Sequence, residues 1–541
     1  MLFQWGLHKK KKEIKGKEGD DQSGQVWDIP GEPIHSQLEM NIDIVRHTTG
    51  DSPDIVIRRF DVGHERTIRA AMIFVDGLVD EKNVCQFLLE PLMTATFPIS
   101  LLPADLFIWM EKKLAAVGGI RQISQWSELF TELMSGRTII LLDGIPLALC
   151  ASTKGGQYRQ IEEPQTQIAI RGSRDGFTES LRINTSLIRR RIQNPNLWME
   201  TMKIGKVTQT DVAIMYIKGI ANEEIVQEVK QRLNRINIDS ILESGYIEQL
   251  IEDQTYTTFP TVYHTERPDT VAANLLEGRV AIFMEGTPFV LVVPAVFIQF
   301  FQAVEDYYSR FDISTALRFL RVLIFFISLI APALYIAATT FHQEMIPTPL
   351  VIAIAAQREA VPFPAFVEAL VMEVTFEILR EAGVRLPRAV GQAVSIVGAL
   401  VIGQSAVEAG FVSSAMVIVV SITAVASFAT PAVAIAISAR LIRFLLMVLA
   451  AMFGFYGIIM GILVMTIHLC SLRSFGVPYM SPLAPSIPAN MGDTLFRVPT
   501  WAFKDRPHLI SQKNIERQGN NQKPQPPGSN SSNDSNRGET S

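Results

Sequence analysis

Four runs without a charged residue, all in the C-terminal half of the chain, constrain the fold more than any other feature. Each run is 19 to 31 residues long, and about 20 apolar residues in a helix span the roughly 30 Å hydrocarbon layer of a bilayer. Soluble cores do not concentrate four such runs so closely, so residues 316–472 are predicted to form an α-helical transmembrane bundle of four or five spans. The runs are Val322–Phe341, Ala389–Val407, Ala409–Ala439 and Phe444–Ile467.

Arginines placed between the runs predict their orientation, because basic clusters beside membrane helices stay in the cytoplasm. The loop 339–350, after the first run, contains no Lys or Arg and is predicted to face outward. The N-terminal region is predicted to be cytoplasmic, since its lysine-rich stretch follows a short apolar segment, the reverse of a secretory signal. The clusters are Arg310, Arg318 and Arg321, then Arg380, Arg385 and Arg388, then Arg440 and Arg443.

The segment 351–383 is apolar but interrupted by acids and prolines, and three interpretations of it stay open. They are an interfacial amphipathic helix, a re-entrant segment, and a polar span that faces other helices. A literal count of spans then puts the polar C-terminal tail, residues 473–541, outside. Its end is rich in Ser, Asn and Pro, which is typical of disorder, and we expect the tail to be cytoplasmic, in conflict with that count. The acidic candidates for a gate or an ion path are Glu368, Glu373 and Glu377.

An internal repeat indicates that the region before the bundle is soluble and duplicated. The stretch 136–146 matches 278–288 at a constant offset of 142 residues, each with Gly-Arg, five mainly apolar residues, an acid-Gly pair, one residue and proline. This pattern predicts a strand, a tight turn with glycine at positive φ, and a second strand. We therefore predict an α+β multi-domain chain. Two related α/β subdomains, 65–180 and 181–315, follow a basic, partly disordered arm of residues 1–64.

The repeat also affects the uncharged stretch 286–304, which by hydropathy alone is a further candidate membrane helix. Its first half aligns with the turn and strand of the earlier copy, and it contains Pro288 and Pro294. Proline in a helix interior removes a backbone hydrogen bond. We therefore predict a buried strand followed by a short helix.

No motif for catalysis, metal binding or phosphate binding is found in the sequence. The eight histidines lack metal-ligand spacing, and no Walker loop, Gly-x-Ser-x-Gly elbow or Gly-x-Gly-x-x-Gly occurs. Three widely separated cysteines fit neither a disulfide framework nor a zinc site. The net charge of −5 gives no reason to expect a nucleic-acid partner. We expect a protein that is not an enzyme and that holds no cofactor.

The most distinctive soluble motif is the glycine-rich stretch 168–180, where a strand is predicted to end and a helix to begin at Thr178. Backbone N–H groups at a helix start, with arginines beside them, can hold an anion. A structural turn with an N-cap, its arginines paired with neighbouring acids, is the alternative. The residues of this candidate anion or interface loop are Arg171, Ser173, Arg174 and Asp175.

The stretch 391–406 is rich in small residues, which let membrane helices pack closely. Several positions fall near one helical face, and in an oligomer that face would line a narrow, mostly apolar pore that gates by dewetting. Ordinary helix packing is the alternative explanation. The pore-lining candidates are Gln392, Ser395, Ala399, Ile402 and Ala406.

Eight contiguous stretches carry a family resemblance. They are Arg171–Phe177, Asn194–Leu197, Glu305–Tyr308, Leu320–Ile324, Ala331–Tyr335, His342–Pro349, Arg358–Pro364 and Leu386–Gln392. Together they resemble the A subunit of the GerA-type spore germinant receptors. The resemblance covers about residues 65–500 and leaves out the lysine-rich front and the polar tail.

The resemblance implies a protein of the inner spore membrane, in a complex with a transporter-like B subunit and a lipoprotein C subunit. It implies a role in sensing nutrients and triggering ion release, with the A subunit as a homo-oligomeric channel and the B subunit as the better candidate for nutrient binding. A ligand-gated ion channel is thus the expected function. The alternatives are a secondary transporter, disfavoured because the visible repeat lies in the soluble region, and a non-conducting membrane scaffold.

Overall fold

A computed structural model describes most of the chain, and the following concerns its described residues. Over these residues the chain forms two five-stranded sheets with flanking helices, then a helical region, then a C-terminal segment that returns to the second sheet. The described residues are 33–63, 68–96, 109–110, 112–114, 119–155, 163–164, 167, 169–385, 401–512, 514–519 and 522–524.

The first subdomain is an antiparallel sheet in the strand order β1-β2-β4-β5-β3. Three short helical segments, Glu81–Asn83, Val84–Leu89 and Glu90–Met93, follow β2. The labelled elements are α1 (Leu38–Thr49), β1 (Ile55–Val62), β2 (Ile68–Val75), β3 (Arg121–Ile123), α2 (Trp126–Met134), β4 (Thr138–Leu142) and β5 (Ala148–Ala151).

The first subdomain begins earlier than the sequence predicted, because α1 and β1 lie within the segment assigned to the N-terminal arm. Leu38, Ile42 and Val45 recur on one face of α1 and are buried in the core beside the sheet. The opposite face of this single short helix is polar, so no sustained apolar periodicity marks it. Residues 1–32 of the predicted arm lie outside the described residues.

The second subdomain repeats the first, with the strand order β6-β7-β9-β10-β8. Each of its strands begins 142 residues after its counterpart, so the repeat predicted from two short stretches extends over the whole sheet and is confirmed. Its elements are α3 (Leu181–Arg191), β6 (Leu197–Ile204), β7 (Thr210–Ile217), α4 (Glu223–Arg235), α5 (Ser244–Ile251), β8 (Tyr263–Thr265), α6 (Pro268–Leu276), β9 (Val280–Met284) and β10 (Val290–Val293).

The acid-Gly turns of the repeat behave as predicted, and the acids have a second role. Gly144 and Gly286 both adopt positive φ, 87° and 93°. Asp143 accepts a hydrogen bond from the Leu38 backbone N–H, and Glu285 from that of Leu181. Each acid therefore satisfies a free N–H at the start of its subdomain's first helix, where negative charge is also favourable.

The uncharged stretch 286–304 contains β10 and a short 3-10 helix, Phe297–Phe301, as predicted. The side chains of β10 are all buried. This stretch therefore belongs to the core of the second subdomain.

Contacts between the subdomains join α1 and the loop before β1 in the first repeat to α3 and β6 in the second. Arg189 and Asp54 form a doubly hydrogen-bonded pair, with Nε–Oδ2 and Nη2–Oδ1 distances of 2.6 and 2.9 Å, and both side chains are buried. The Trp198 indole N–H donates to the Thr48 carbonyl at 3.1 Å. A bidentate buried pair resists separation, because leaving one charge without its partner is costly.

The helical region begins after the single helical turn Glu305–Tyr308. Among the described residues, two of its helices are long and apolar enough to cross a membrane, by length and composition: α7 and α11. Residues 401–408 are also helical. The labelled helices are α7 (Phe311–Thr340), α8 (Thr348–Arg358), α9 (Ala365–Arg385), α10 (Ser414–Phe428) and α11 (Val433–Ser471).

The element α11 is a hairpin of two antiparallel legs, 433–453 and 455–471, joined at Gly454. Gly454 has non-helical angles, φ 58° and ψ −139°. Gly457 lies against the Leu449 carbonyl, and Gly461 lies against the Leu446 side chain. In a straight helix, residues eight apart would be about 12 Å apart. The run Phe444–Ile467, predicted as one span, therefore folds back on itself.

The run Ala409–Ala439, which the sequence analysis treated as one uncharged run, is not a single helix either. It contains α10, whose N-cap Ser413 accepts from the Met416 backbone N–H, and the start of α11. The helix α10 ends at Phe428. Pro431, which lies between α10 and α11, lacks the backbone N–H that a continuing helix would need. Hydropathy does not register these breaks, because the residues around them are uncharged.

Candidate functional site

Three acids of α9, Glu368, Glu373 and Glu377, lie inside the apolar helical region and pair with arginines of α8, α9 and the first leg of α11. Together these charged residues form a ladder along α9. Its central pair is Glu373 and Arg443, whose Oε2 and Nη1 atoms are 2.5 Å apart. Both side chains are only 1% exposed. Each charge of this buried pair depends on the other, because a single charge buried without its partner would strongly destabilise the folded state.

The second step of the ladder joins three helices. Glu377 lies 3.0 Å from Arg440 of α11 and 3.2 Å from Arg380 of its own helix. Arg380 also donates to the Ser427 hydroxyl of α10 at 2.7 Å, and its guanidinium packs on the ring of Phe428. The carboxylate thus lies between two guanidinium groups, so a charge change at Glu377 would act on both α10 and α11.

The third acid, Glu368, lies at the other end of α9 and is fully buried. It accepts hydrogen bonds from the backbone N–H of Ser413, at 2.5 Å, and from the Ser413 hydroxyl. Arg358 of α8 lies 3.9 Å away, and the Tyr335 hydroxyl of α7 is 3.4 Å from that of Ser413. Glu368 therefore caps α10 and joins four helices.

The ladder uses only part of its hydrogen-bonding capacity. Several of its buried polar atoms have no hydrogen-bond partner among the residues that the structure describes. Such atoms are rare in native proteins and call for a functional or structural reason. They are Glu368 Oε2, Glu373 Oε1, Arg443 Nε and Nη2, and the Nε atoms of Arg358, Arg380 and Arg440.

The three acids predicted as gate or ion-path candidates are thus brought together on one helix. The segment 351–383 consists of α8 and α9, and α9 begins directly after Pro364. Of the three interpretations open for this segment, a polar helix facing other helices describes α9. Arg440 and Arg443, grouped from sequence with the basic loop clusters, lie inside α11 and pair with α9.

The pore-lining candidates fall mostly outside the described residues, which include only Ile402 and Ala406. Both lie in the helix 401–408, where Ile402 is 39% exposed and Ala406 is half-buried. Gly403 in the same helix faces Val417 of α10. Gly403 therefore lies at a contact between two helices of this chain, whereas the exposed Ile402 side chain is available to contact another copy of the chain or another subunit.

The candidate anion loop forms a compact turn closed by its own acid. Asp175 pairs with the Ser173 hydroxyl and with Arg191, whose Nη2 lies 2.6 Å from Oδ2. Burial alone would raise the pKa of Asp175, but these two contacts hold it below its ordinary value. Arg171 and Arg174 are exposed. The loop is thus built as a turn whose acid pairs with an arginine of α3, and its two exposed arginines remain candidates for an anion.

The helix predicted to start at Thr178 begins instead at Leu181. The reason is a pair of side-chain hydrogen bonds to the backbone of Thr178. Asn184 Oδ1 accepts from the Thr178 N–H at 2.8 Å, and Asn184 Nδ2 donates to the Thr178 carbonyl at 2.6 Å. Such side-chain bonds offer the backbone an alternative to the helix.

Two further polar sites escaped the sequence reasoning. A cleft of about 480 Å³ between the subdomains is crossed by Arg182, which pairs with Asp76 and Glu81. At the base of α7, buried Asp306 accepts from Arg318 and Arg321 at 2.8 Å, and Arg318 also bonds Asp493 at 2.7 Å. Each site includes a pair more than a hundred residues apart, Arg182 with Asp76 and Arg318 with Asp493, so no local pattern marks the complete site.

The C-terminal segment returns to the second subdomain. The Ser474 hydroxyl donates to the Thr261 carbonyl at 2.7 Å, and the Phe297 backbone N–H donates to the Tyr479 carbonyl at 2.8 Å. Further along, the Ser511 hydroxyl donates to the Ile220 carbonyl at 2.9 Å. At least residues 474–511 are therefore part of the soluble fold rather than a free tail.

Comparison with known proteins identifies the family. A model of the Bacillus/Clostridium GerA spore germination protein family matches residues 43–509. The chain belongs to the GerA family of spore germination proteins. Among its relatives, spore germination protein KA of Bacillus subtilis (strain 168) is 60% identical over 493 residues, covering 91% of this chain and 90% of that protein. Spore germination protein B1 of the same organism is 40% identical, covering 88% and 97%.

A solved structure also matches this GerA-family chain. It is the crystal structure of the N-terminal domain of the A subunit of the Bacillus megaterium spore germinant receptor GerK3, 44% identical in sequence. The match covers 50% of this chain and 100% of the solved one, with a TM-score of 0.42.

Proposed function

We propose that this chain is the A subunit of a nutrient germinant receptor in the inner spore membrane, and that several copies form an ion channel that opens when nutrient binds the receptor. Membership of the GerA family supports the role in germination. The observation that carries the channel proposal is the buried ladder on α9. Ionisable groups within membrane helices are costly and are characteristic of ion pathways and gates.

The contacts of the helix ends support a bundle with two defined levels. At the near level, beside the soluble subdomains, the two legs of α11 meet one loop: Ser438 donates to the Thr258 carbonyl and His468 is hydrogen-bonded to Thr257. At the far level, the ring of His342, after the end of α7, lies 4.7 Å from that of Phe455 at the hairpin tip. The helix α7 and both α11 legs each connect these two levels.

The remaining helices run between the same levels. The start of α9 and the start of α10 meet at the far level, through Glu368 and Ser413. Their near ends meet through Arg380 and Ser427. Residues 401–408 are helical and lead to Gly410, which lies against the Ala360 carbonyl at the far level, so in this proposal a further crossing precedes α10. Together with α7, α9, α10 and the two legs of α11, this makes six crossings.

An even number of crossings places the C-terminal segment on the side of the soluble subdomains. In this proposal the α11 hairpin supplies two crossings instead of one, so the span count agrees with a C-terminal tail on the cytoplasmic side. Arg310, Arg321 and Arg385 lie toward the near level, and by the positive-inside rule that side is cytoplasmic. We propose that the soluble subdomains and the C-terminal segment both face the cytoplasm.

In this proposal the chain works with a transporter-like B subunit and a lipoprotein C subunit, as a homo-oligomer among membrane lipids and without enzymatic activity or a cofactor. Large apolar side chains of α11 such as Ile459, Val464 and Ile467 are more than 60% exposed, which suits contact with lipid or further copies. The alternatives are a secondary transporter and a non-conducting scaffold.

Ion flux in proteoliposomes tests the channel. The purified chain is reconstituted alone, and then with its B and C subunits with and without nutrient, and the conductance is measured. We expect nutrient-dependent conductance in the complete receptor. A complete receptor that signals in spores but never conducts in liposomes would favour the scaffold. Flux that saturates and exchanges substrate would favour the transporter.

A single substitution tests the pore helix. Ile402→Ala should enlarge the apolar constriction and give spores that germinate without nutrient, because a wider pore dewets less readily. Ile418→Ala on α10 is the matched control, since this residue is 60% exposed on a different helix. Dormancy unchanged in Ile402→Ala spores at normal protein level would show that this helix only packs.

A further inference from the structure

Aromatic side chains lie exposed on the near side of the helical region. Tyr256 is 93% exposed, Phe496 is 66% exposed and Trp501 is 38% exposed. Single exposed apolar residues are ordinary on a protein surface. Tyr256 is far in sequence from the C-terminal pair Phe496 and Trp501, so their common level calls for an explanation.

The C-terminal pair is held at the base of α7. The Arg497 backbone N–H donates to the Thr315 hydroxyl at 3.0 Å, and that hydroxyl lies 3.2 Å from the Arg497 carbonyl. The Arg497 guanidinium reaches the Thr500 hydroxyl at 3.3 Å. Phe496 and Trp501, which flank these contacts, are therefore tied to the first turns of α7.

The loop with Tyr256 is tied to the same level from the other side. Its neighbours Thr257 and Thr258 contact the near ends of both α11 legs, through His468 and Ser438. Tyr256 therefore projects beside the point where the hairpin leaves and re-enters the near level.

Helix length sets the depth of this level. The 30 residues of α7 extend about 45 Å, and the hydrocarbon layer takes up only about 30 Å of that length. With the far end of α7 at the opposite surface, roughly its first ten residues lie beyond the hydrocarbon. Thr315 falls in the middle of this part, at the depth of the lipid headgroups.

We propose that Tyr256, Phe496 and Trp501 form an aromatic anchor by which the soluble domain and the C-terminal segment rest on the lipid headgroup layer. The amphipathic rings of Tyr256 and Trp501, each with an apolar body and a polar group, are favourable at this depth, and the apolar ring of Phe496 adds hydrophobic area beside them. Lys523 Nζ lies 5.5 Å from the Trp501 ring centroid, and so adds a cation where headgroup phosphates lie. The proposal rests on the topology proposed above, because only that topology places lipid here.

Quenching by brominated lipid tests the anchor in the full-length chain. The protein is reconstituted in phosphatidylcholine vesicles with or without dibromostearoyl chains, and tryptophan emission is compared. We expect brominated lipid to quench part of the emission. The quenchable part should fall at least twofold in Trp501→Phe, and stay in Trp198→Phe, a half-buried indole between the subdomains. Tyr256→Trp should add quenchable emission.

Three outcomes distinguish failure of the anchor from failure of the topology on which it rests. A chain that floats with the vesicles but keeps its quenchable emission in Trp501→Phe, and gains none in Tyr256→Trp, overturns the anchor alone. Loss of self-association without loss of quenching in Trp501→Phe would assign this surface to a second copy of the chain. A chain that does not float would instead overturn the membrane topology.

Discussion

Replacing Glu373 by glutamine should destabilise the helical region far more than the same change about two turns later, at Glu381. Glu373 and Arg443 are each 1% exposed, so the substitution leaves a guanidinium charge buried without its carboxylate. Removing one member of a buried pair costs about 3–5 kcal/mol. Glu381 pairs with Arg385, but these side chains are 66% and 77% exposed, and such a pair contributes about 0.5 kcal/mol or less.

Thermal unfolding of the purified chain in detergent measures this difference. For a unit of this size, 1 kcal/mol shifts the Tm by roughly 2–4 °C, so Glu373→Gln should lower the Tm by roughly 6–20 °C and Glu381→Gln by no more than roughly 2 °C. The double variant Glu373→Gln, Arg443→Met should recover much of the loss, because no unpaired charge remains. Equal Tm values for Glu373→Gln and Glu381→Gln would refute this account of the ladder. Altered ion release from spores at unchanged Tm would place Glu373 on the ion path.

Three further changes test other parts of the fold. Gly454→Ala should lower the free energy of unfolding by about 1–3 kcal/mol, because its backbone angles are open mainly to glycine and a Cβ would lie 2.7 Å from His342. Gly403→Ala is the control, since Gly403 lies in helical backbone and a Cβ there would have its nearest contact at 3.7 Å. The Tm values of the two variants are compared. Asp306→Asn should cost about 3 kcal/mol and speed proteolysis near Asp493, because buried Arg318 loses one of its two acids. Burial, with smaller effects from Glu252 and Glu243, raises the pKa of Glu248 to about 7, so the folded state holds a proton that the unfolded state loses near pH 4.5. Stability near α5 should therefore fall by about 3 kcal/mol as the pH rises from 4.5 through 7, measured as hydrogen-exchange protection at pH 5 and 8, and Glu248→Gln should remove the change.

The duplicated sheet was predictable because its signal is local. A strand, an acid-Gly turn and a second strand are encoded within eleven residues, and a repeat of that pattern at one offset is hard to produce by chance. The first helix and strand of the domain were missed for the converse reason. α1 is amphipathic but short, and its partner in the turn, Asp143, lies more than ninety residues away.

The sequence predicted that this region is helical and apolar, but not where the chain turns between its helices. Apolar runs report that a segment can enter lipid, whereas Gly454 and Pro431 decide where it turns, and both are uncharged. The ladder was half predicted. The spacing of the acids placed Glu373 and Glu377 on one face, but their partners Arg440 and Arg443 depend on how α9 packs against α11, and the sequence alone does not record that contact.

The return of the C-terminal segment to the second subdomain sets an order of events during synthesis. Ile220 accepts from Ser511, nearly three hundred residues further along the chain. At roughly 5–20 residues per second, about 15–60 s pass before the ribosome supplies that partner. During this interval the second subdomain is translated yet lacks part of its covering, while the helices α7 to α11 are being made. The residues around Ser511 thus complete this part of the surface of the second subdomain long after its strands have been made.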